Sequence, residues 1–426
     1  MKTFAILTLG CKVNAYESEW YTQQLESSGL TKVDFKDRAD IYIINTCAVT
    51  NVAEAKSRQK INAARKNNPN AILCVVGCYI QAKLSEGKVL ADVDIVIGTS
   101  GKKKLPELVL NYDKNKIIEY QSDISNLTID NMPLQQFNQQ RAYLKIQDGC
   151  NQYCTYCIIP YARGSQRNMP VNTVIDNARK LVNAGHLELV LTGIHTGRYQ
   201  DGEYDLAKLI ELILEEVKGL RRLRISSIEV TEVTDELLEL IACSERVAKH
   251  LHIPLQTGND EILKLMHRPY SVKYFKERIE AIREKVPGIS ISTDVIVGFP
   301  NETEVLFDET SKFIEDIEFS FLHVFPFSVK NGTEAEQMTA QVNGVEKKKR
   351  ARDLTVLSSR LYNTYKRNMI NEEVVVFFET YKGRTLSGYS SEYVNINVLS
   401  DIDLTKEFHS VKITHFGSDE LWGELV

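Results

Sequence analysis

The sequence predicts an α/β protein in three parts: a doubly wound parallel sheet, a partial or full β/α barrel, and a small all-β barrel. Three observations carry this expectation. Strand-like and helix-like runs alternate over the first hundred residues and again from about 141 to 327, a rhythm that builds parallel sheets flanked by helices. From 371 onward the pattern changes to short strand-like runs with turn signals between them and little helix. Finally, 426 residues of which 43% are apolar and 26% charged can bury several cores, and exclude a disordered or fibrous chain. The expected boundaries are 1–100, a helix and linker at 101–140, 141–370 and 371–426.

In the first part the β-rich runs are 3–9, 40–45, 71–76 and 93–97, separated by polar helix-like stretches such as 14–28 and 53–67. The segment 101–140 carries Lys102, Lys103, Lys104 and Pro106 and ends rich in Asn and Gln, so it reads as a helix followed by a linker. In the second part, strands are expected at 142–147, 187–192, 222–227, 250–254, 290–297 and 318–324, and about six such repeats make an open or complete barrel. A charged helix follows at 344–369. The runs 373–381, 393–399 and 410–415 then suggest a small five-stranded barrel. There is no apolar run of about 18 residues, and a cytoplasmic protein with no membrane partner is expected. The net charge of −5 marks no basic nucleic-acid module.

Eight cysteines in a reduced compartment read as ligands or core residues. Cys150-Asn-Gln-Tyr-Cys154-Thr-Tyr-Cys157 directly follows a strand. Three thiolates within one loop suit an iron-sulfur cluster and leave one iron free for a ligand. The alternative, structural zinc, needs a fourth ligand, and the nearest histidine, His186, is far along the chain. Tyr156 either shields the cluster or is an ordinary packed tyrosine. Cys11, Cys47 and Cys78 each follow a strand and precede a helix-like stretch, which delivers three thiols to the crevice of an open parallel sheet. Core thiols would sit inside strands, as Cys74 does; Cys74 and Cys243 are assigned to the core.

The CxxxCxxC loop resembles that of the radical S-adenosylmethionine enzymes. With Thr8-Leu-Gly-Cys11-Lys-Val-Asn14, Asn45-Thr-Cys47-Ala-Val, Gly77-Cys78, Ile158-Ile-Pro-Tyr-Ala-Arg-Gly164, Pro254-Leu-Gln-Thr-Gly258, Thr293-Asp-Val-Ile-Val-Gly-Phe-Pro300 and Val324-Phe-Pro-Phe-Ser328, the chain is similar to the MiaB/RimO methylthiotransferases nearly end to end. That resemblance implies a central radical SAM barrel, a C-terminal TRAM barrel, S-adenosylmethionine, and two 4Fe-4S clusters, one on Cys11, Cys47 and Cys78 and one on Cys150, Cys154 and Cys157. It implies a reaction in which one S-adenosylmethionine supplies a methyl group and a second a 5′-deoxyadenosyl radical, so both crevices should face one cavity.

Gly193, Glu229, Gln256 and Val295, at strand ends, are the expected S-adenosylmethionine contacts, with packing as the alternative for each. His195 is a proton donor or a loop hydrogen bond, and Arg163 a phosphate contact or a salt bridge. The first motif, with Leu191-Thr-Gly-Ile-His-Thr-Gly197, is most like the branch acting on N6-threonylcarbamoyladenosine beside the tRNA anticodon. The alternatives are N6-isopentenyladenosine, a ribosomal-protein aspartate, or a non-catalytic iron-sulfur RNA-binding protein. The expected partners are a tRNA anticodon stem-loop and a reductant such as flavodoxin or ferredoxin, acting on a monomer. Candidate phosphate contacts are Lys102–Lys104 and 347–352, with Tyr381, Lys382, Arg384 and Tyr389 in the acidic terminal barrel.

Overall fold

Six strands form the first sheet of the computed structural model, which describes residues 1–85, 92–113, 118–120, 124 and 127–426. They are β1 (Thr3–Thr8), β2 (Thr31–Lys32), β3 (Ile41–Thr46), β4 (Ile72–Gly77), β5 (Ile95–Ile97) and β6 (Ile118–Tyr120), all parallel in the order β2-β1-β3-β4-β5-β6. β3 and β4 are buried throughout, which is why they read as unbroken apolar runs. The winding direction reverses between β1 and β3, the place where an open sheet leaves a crevice at its strand ends. Helices α1 (Lys12–Ser27), α2 (Asn51–Asn67) and α3 (Cys78–Ser85) leave that crevice, and α4 (Leu105–Leu110) precedes β6. β6 falls inside the stretch expected to be linker; part of that stretch lies outside the described residues.

The second unit has β7 (Arg141–Lys145), β8 (Glu188–Thr192), β9 (Arg222–Ile225), β10 (His250–His252), β11 (Ser290–Val297) and β12 (Phe321–Pro326). Parallel trios β9-β8-β7 and β10-β11-β12 are joined by bridges Leu223↔Val247 and Ser227↔His252. The result is the open form of the expected barrel, with β7 and β12 unpaired to each other among the described residues. An unpaired strand edge must be covered, and α1 of the first unit packs along β7.

The third unit is a closed barrel of β13 (Glu373–Lys382), β14 (Thr385–Tyr389), β15 (Asn395–Leu399), β16 (Phe408–Gly417) and β17 (Glu420–Leu425) in the order β13-β14-β15-β17-β16. Two arginines of β9 dock it. Arg222 and Arg224 share Glu188 at 3.1 and 2.5 Å, all three buried. Their remaining N–H groups donate to the carbonyls of Tyr389, Val375, Ser391 and Ser390 at 2.6–3.0 Å. A guanidinium has five donors and cannot shed its charge, so the small barrel's carbonyls complete what the carboxylate leaves open. Among the described residues no helix is long and apolar enough to cross a membrane.

One core assignment is corrected. Cys243 ends the helix Asp235–Cys243, whose buried face is Leu237, Leu238 and Ile241, and its exposed thiol donates to Glu239 at 3.0 Å. Cys74, mid-strand in β4, is fully buried.

Candidate active site

Three loops at the strand ends of the first sheet carry Cys11, Cys47 and Cys78. Two glycines allow the close approach. Gly10 has φ +98°, and a Cβ there would lie 2.6 Å from the Cys47 Cβ; Gly77 has φ +109°, and a Cβ would lie 2.6 Å from the Thr46 carbonyl. Only glycine takes both the backbone and the space. Asn14 ties the loops together, donating to Leu9 O at 2.7 Å and Thr46 O at 3.0 Å. Burial pushes the Cys47 thiol up to about 11, aided by the neighbouring Cys78 and Cys11. The turn before Cys11 lies directly against Cys47, a Cβ on Gly10 falling 2.7 Å from the Cys47 sulfur.

The second triad sits in the loop after β7. Thr155 anchors it, its N–H donating to Met266 O at 3.3 Å, its hydroxyl to Leu265 O at 2.8 Å, and its carbonyl accepting from Ala335 N at 2.8 Å. Arg268, held by Glu229, donates to Cys154 Sγ at 3.3 Å. Burial raises Cys157 to about 12, with Cys154 and Cys150 adding to the rise. Tyr156, half-buried beside Cys157, meets Phe299 edge-on.

Both donor sets fit a polynuclear cluster better than a single ion. Tetrahedral zinc draws its ligands within about 4 Å of one another, whereas among the described residues the only ligand trio gathered within 4.8 Å is His252, Asp294 and His323. Each cysteine triad is spaced more widely, offers only soft thiol donors, and lacks a fourth cysteine. That is the donor chemistry of an iron-sulfur cluster with one open iron. His186 is not a missing ligand: its Nε2 accepts from Phe137 N at 2.8 Å and its Nδ1 faces Gln140 O at 3.2 Å.

One cavity lies between the two units, lined by Cys157 of the second triad, by Val49 and Thr50 just after Cys47 of the first, and by Tyr156, Gln256, Asp294 and Phe327. Asn51 at the start of α2 donates to Ser328 Oγ at 3.1 Å and Val329 O at 3.2 Å, and Lys330 pairs with Glu54 at 2.7 Å. These contacts hold the first sheet over the barrel mouth.

The strand-end residues are distributed unevenly. Gln147, fully buried, accepts from Ile194 N and His195 N at 2.8 Å each and donates to Asp148 O and Gly149 O at 2.9 and 2.7 Å. It thus staples the loop of Gly193 to the loop of Cys150. His195 Nδ1 lies 3.4 Å from Cys150 Sγ and its Nε2 2.7 Å from Glu232 Oε1. Burial opposes its charge, but these two partners raise it to about 9. Glu229 is engaged by Arg268 beside Cys154. Gln256 adopts φ +66° in the cavity wall. Val295 points its side chain into the core, so the side chains that β11 offers to the cavity are those of Asp294 and Ile296.

Several site residues escaped the sequence reading. His252, Asp294 and His323 come from adjacent strands in register, Ser292 opposite His252 and Asp294 opposite His323. His252 lies 3.1 Å from Asp294 and 2.9 Å from Ser292 Oγ. Lys12, next to Cys11, is exposed yet crowded by protein on its flanks: desolvation lowers its pKa, while Tyr393, Cys11 and Asp294 pull it up. The alternation His250-Leu251-His252 and the polar run Ser292-Thr293-Asp294 were the available signal. They mark a lumen only once the strands are known to be adjacent.

Of the readings open for Arg163, the structure shows the salt bridge, and it is buried. Its nitrogens reach Cys78 Sγ, Asp148 and Asn14 at 3.0, 2.9 and 2.6 Å. Lys102 is also removed from any nucleic-acid surface, being buried and paired with Glu17 at 2.7 Å. In the helix Gly344–Asn368, Lys347 lies over the Phe327 ring at 4.8 Å and Arg350 is buried on Glu302 at 2.6 Å, whereas Lys348 and Lys349 are exposed. Tyr389 stacks on Tyr393 beneath Arg141, at the join of the two barrels.

Comparison with known proteins adds the following. The model of the Radical SAM superfamily matches residues 144–314, and that of Uncharacterized protein family UPF0004 matches residues 3–98. The chain is 40% identical to the threonylcarbamoyladenosine tRNA methylthiotransferase MtaB of Bacillus subtilis (strain 168), over 100% of this chain and 97% of that protein. It is 33% identical to the tRNA-2-methylthio-N(6)-dimethylallyladenosine synthase of Clostridium novyi (strain NT), over 100% and 97%. Among solved structures, the radical S-adenosylmethionine methyltransferase TsrM of Kitasatospora setae shares the fold, with a TM-score of 0.53 at 14% identity over 76% of this chain and 73% of that one.

Proposed function

Since the chain belongs to the MiaB/RimO-type radical S-adenosylmethionine methylthiotransferases, we infer that it converts N6-threonylcarbamoyladenosine beside the tRNA anticodon to its 2-methylthio derivative. The observation that carries this reading is a cavity between the two cysteine-bearing units, walled by Cys157 of one triad and by the segment that follows Cys47 of the other. A C–H bond without an acidic proton cannot be opened by acid/base groups alone, so radical formation and sulfur delivery must occur within reach of one substrate atom. When bound, the Cys150/Cys154/Cys157 cluster supplies the electron that cleaves S-adenosylmethionine to a radical source, and the Cys11/Cys47/Cys78 cluster carries the sulfur to be methylated.

The chain's own residues do the rest. Gln147 fixes the Gly193 loop against the Cys150 loop, so a ligand on one meets the other in a set geometry. Tyr156 and Phe327 close the apolar side of the cavity and exclude water. Lys12, an exposed ammonium beside Cys11, is the cation we assign to the substrate's threonyl carboxylate, which isopentenyladenosine lacks. The reading requires a one-electron reductant of the flavodoxin or ferredoxin kind and a monomer working on tRNA in the cytoplasm.

The reading is tested with reconstituted protein, S-adenosylmethionine, a reductant and anticodon stem-loops bearing either modified adenosine. Methylthiolation of the threonylcarbamoyl substrate alone is expected; turnover of the isopentenyl substrate alone would move the chain to the other branch. On the outer surface, Lys348→Glu with Lys349→Glu is expected to weaken tRNA binding at unchanged iron content. If both contact phosphates, the slope of log affinity against log salt becomes shallower by roughly two. Equal affinity at low salt would remove that helix from the interface.

A further inference from the structure

Arg163 has no exposed surface, and a guanidinium keeps its charge throughout the accessible pH range. It ends α5 (Ile159–Arg163), the short helix leaving the Cys157 loop, yet its three nitrogens serve both halves of the site. Nη1 donates to Asp148 Oδ1 at 2.9 Å, just before Cys150. Nη2 donates to Asn14 Oδ1 at 2.6 Å, in the helix that follows Cys11, and Nε donates to Cys78 Sγ at 3.0 Å.

The charges around it do not balance. Among the described residues, the ion pairs of this network set Lys102, Lys145, Arg163 and Arg167 against Glu17 and Asp148, with Asp130 lining the same pocket as a third carboxylate. Four cations against three carboxylates leave a positive surplus, which is costly unless answered. The group facing that surplus is the Cys78 sulfur, and a metal-bound thiolate carries the negative charge that a thiol does not. The other triad is arranged differently. Arg268 donates to Cys154, but its own charge is answered by Glu229, a carboxylate with no other cation among the ion pairs.

Resting on the reading that Cys11, Cys47 and Cys78 hold an iron-sulfur cluster, we propose that Arg163 is a positioning residue that raises this cluster's reduction potential through Cys78. The potential of the Cys150/Cys154/Cys157 cluster is left where Arg268 and Glu229 set it. Reduction adds negative charge to a cluster, so an N–H···S bond from an uncompensated cation stabilises the reduced form more than the oxidised one. The two clusters are thereby held at separate potentials by two arginines whose equal charges are unequally compensated.

The test uses the full chain, reconstituted anaerobically, as wild type, Arg163→Lys and Arg163→Gln, with iron counts and a redox titration followed by electron paramagnetic resonance. The signal missing from a Cys47→Ala variant identifies the cluster of interest. Its midpoint is expected to move to more negative potential in Arg163→Gln, and less far in Arg163→Lys, while the signal missing from Cys150→Ala stays in place. An unmoved midpoint in Arg163→Gln with both clusters retained overturns the proposal. So does loss of the cluster from both variants, which would make Arg163 an assembly contact only. If the wild type holds about four irons and Cys47→Ala removes none, the two-cluster reading itself has failed and the proposal falls with it.

Discussion

In a Cys47→Ala variant, reconstituted protein is expected to hold about four irons per chain where the wild type holds about eight, and to lose methylthiolation while still cleaving S-adenosylmethionine. The two losses separate because the triads belong to different units. Cys47 is buried between the Gly10 turn and Thr46, and the Cys150 loop is anchored independently through Thr155 to Met266, Leu265 and Ala335. Removing one of three thiols leaves the first crevice with two ligands, too few to retain a cluster against exchange with solvent thiols. Iron analysis with quantification of 5′-deoxyadenosine checks it. Eight irons retained would mean that Cys47 is a core thiol.

Glu17→Gln is expected to destabilise the fold by about 3–5 kcal/mol, the cost of leaving buried cations unpaired. Glu17 is fully buried and lies 2.7 Å from Lys102, 3.4 Å from Lys145 and 3.8 Å from Arg163. Glutamine keeps the shape and removes the charge, so of the network's four cations Lys145, Arg163 and Arg167 are left to Asp148 and Lys102 loses its ion pair. Burial alone would raise the carboxyl; Lys102, Lys145 and Arg163 overcome it and hold the group at about 2, against an ordinary value of 4.5. A depressed folded-state pKa contributes stability that is present above about 4.5 and is lost as pH falls toward 2. The denaturation midpoint of the variant, measured on the cluster-free chain, should therefore fall short of the wild type's at pH 7, and the gap should narrow as pH drops through that window. Equal midpoints at pH 7 would show that Asp148 suffices.

What could be read from the sequence was local. A cysteine soon after an apolar run announces a strand-end thiol without knowledge of the partners, and so Cys11, Cys47 and Cys78 could be placed at strand ends from chain position alone. The three-part architecture followed from periodicity in the same way. What could not be read depends on distant residues. Lys102 looks like its neighbours Lys103 and Lys104 until Glu17, far back in α1, turns it inward. Arg163 is a loop arginine until α5 is seen to pack on α3. Val295 and Asp294 differ only in strand parity, and parity assigns a face only when the sheet's neighbours are known. β6 was hidden because three residues of an edge strand carry no period worth measuring. Cys243 was misplaced because a helix's last residue has no following turn to reveal its face.

The central claim is that this chain, through cysteine triads in two adjoining units, methylthiolates threonylcarbamoyladenosine in tRNA. The most direct test is nucleoside mass spectrometry of tRNA from a strain lacking the gene, complemented with wild type, Cys47→Ala or Cys157→Ala. The account predicts that 2-methylthio-N6-threonylcarbamoyladenosine disappears on deletion, with its unthiolated precursor accumulating, and returns only with the wild-type gene. Return of the modified nucleoside with either cysteine variant, or its persistence in the deletion strain while another 2-methylthio nucleoside vanishes, would contradict it.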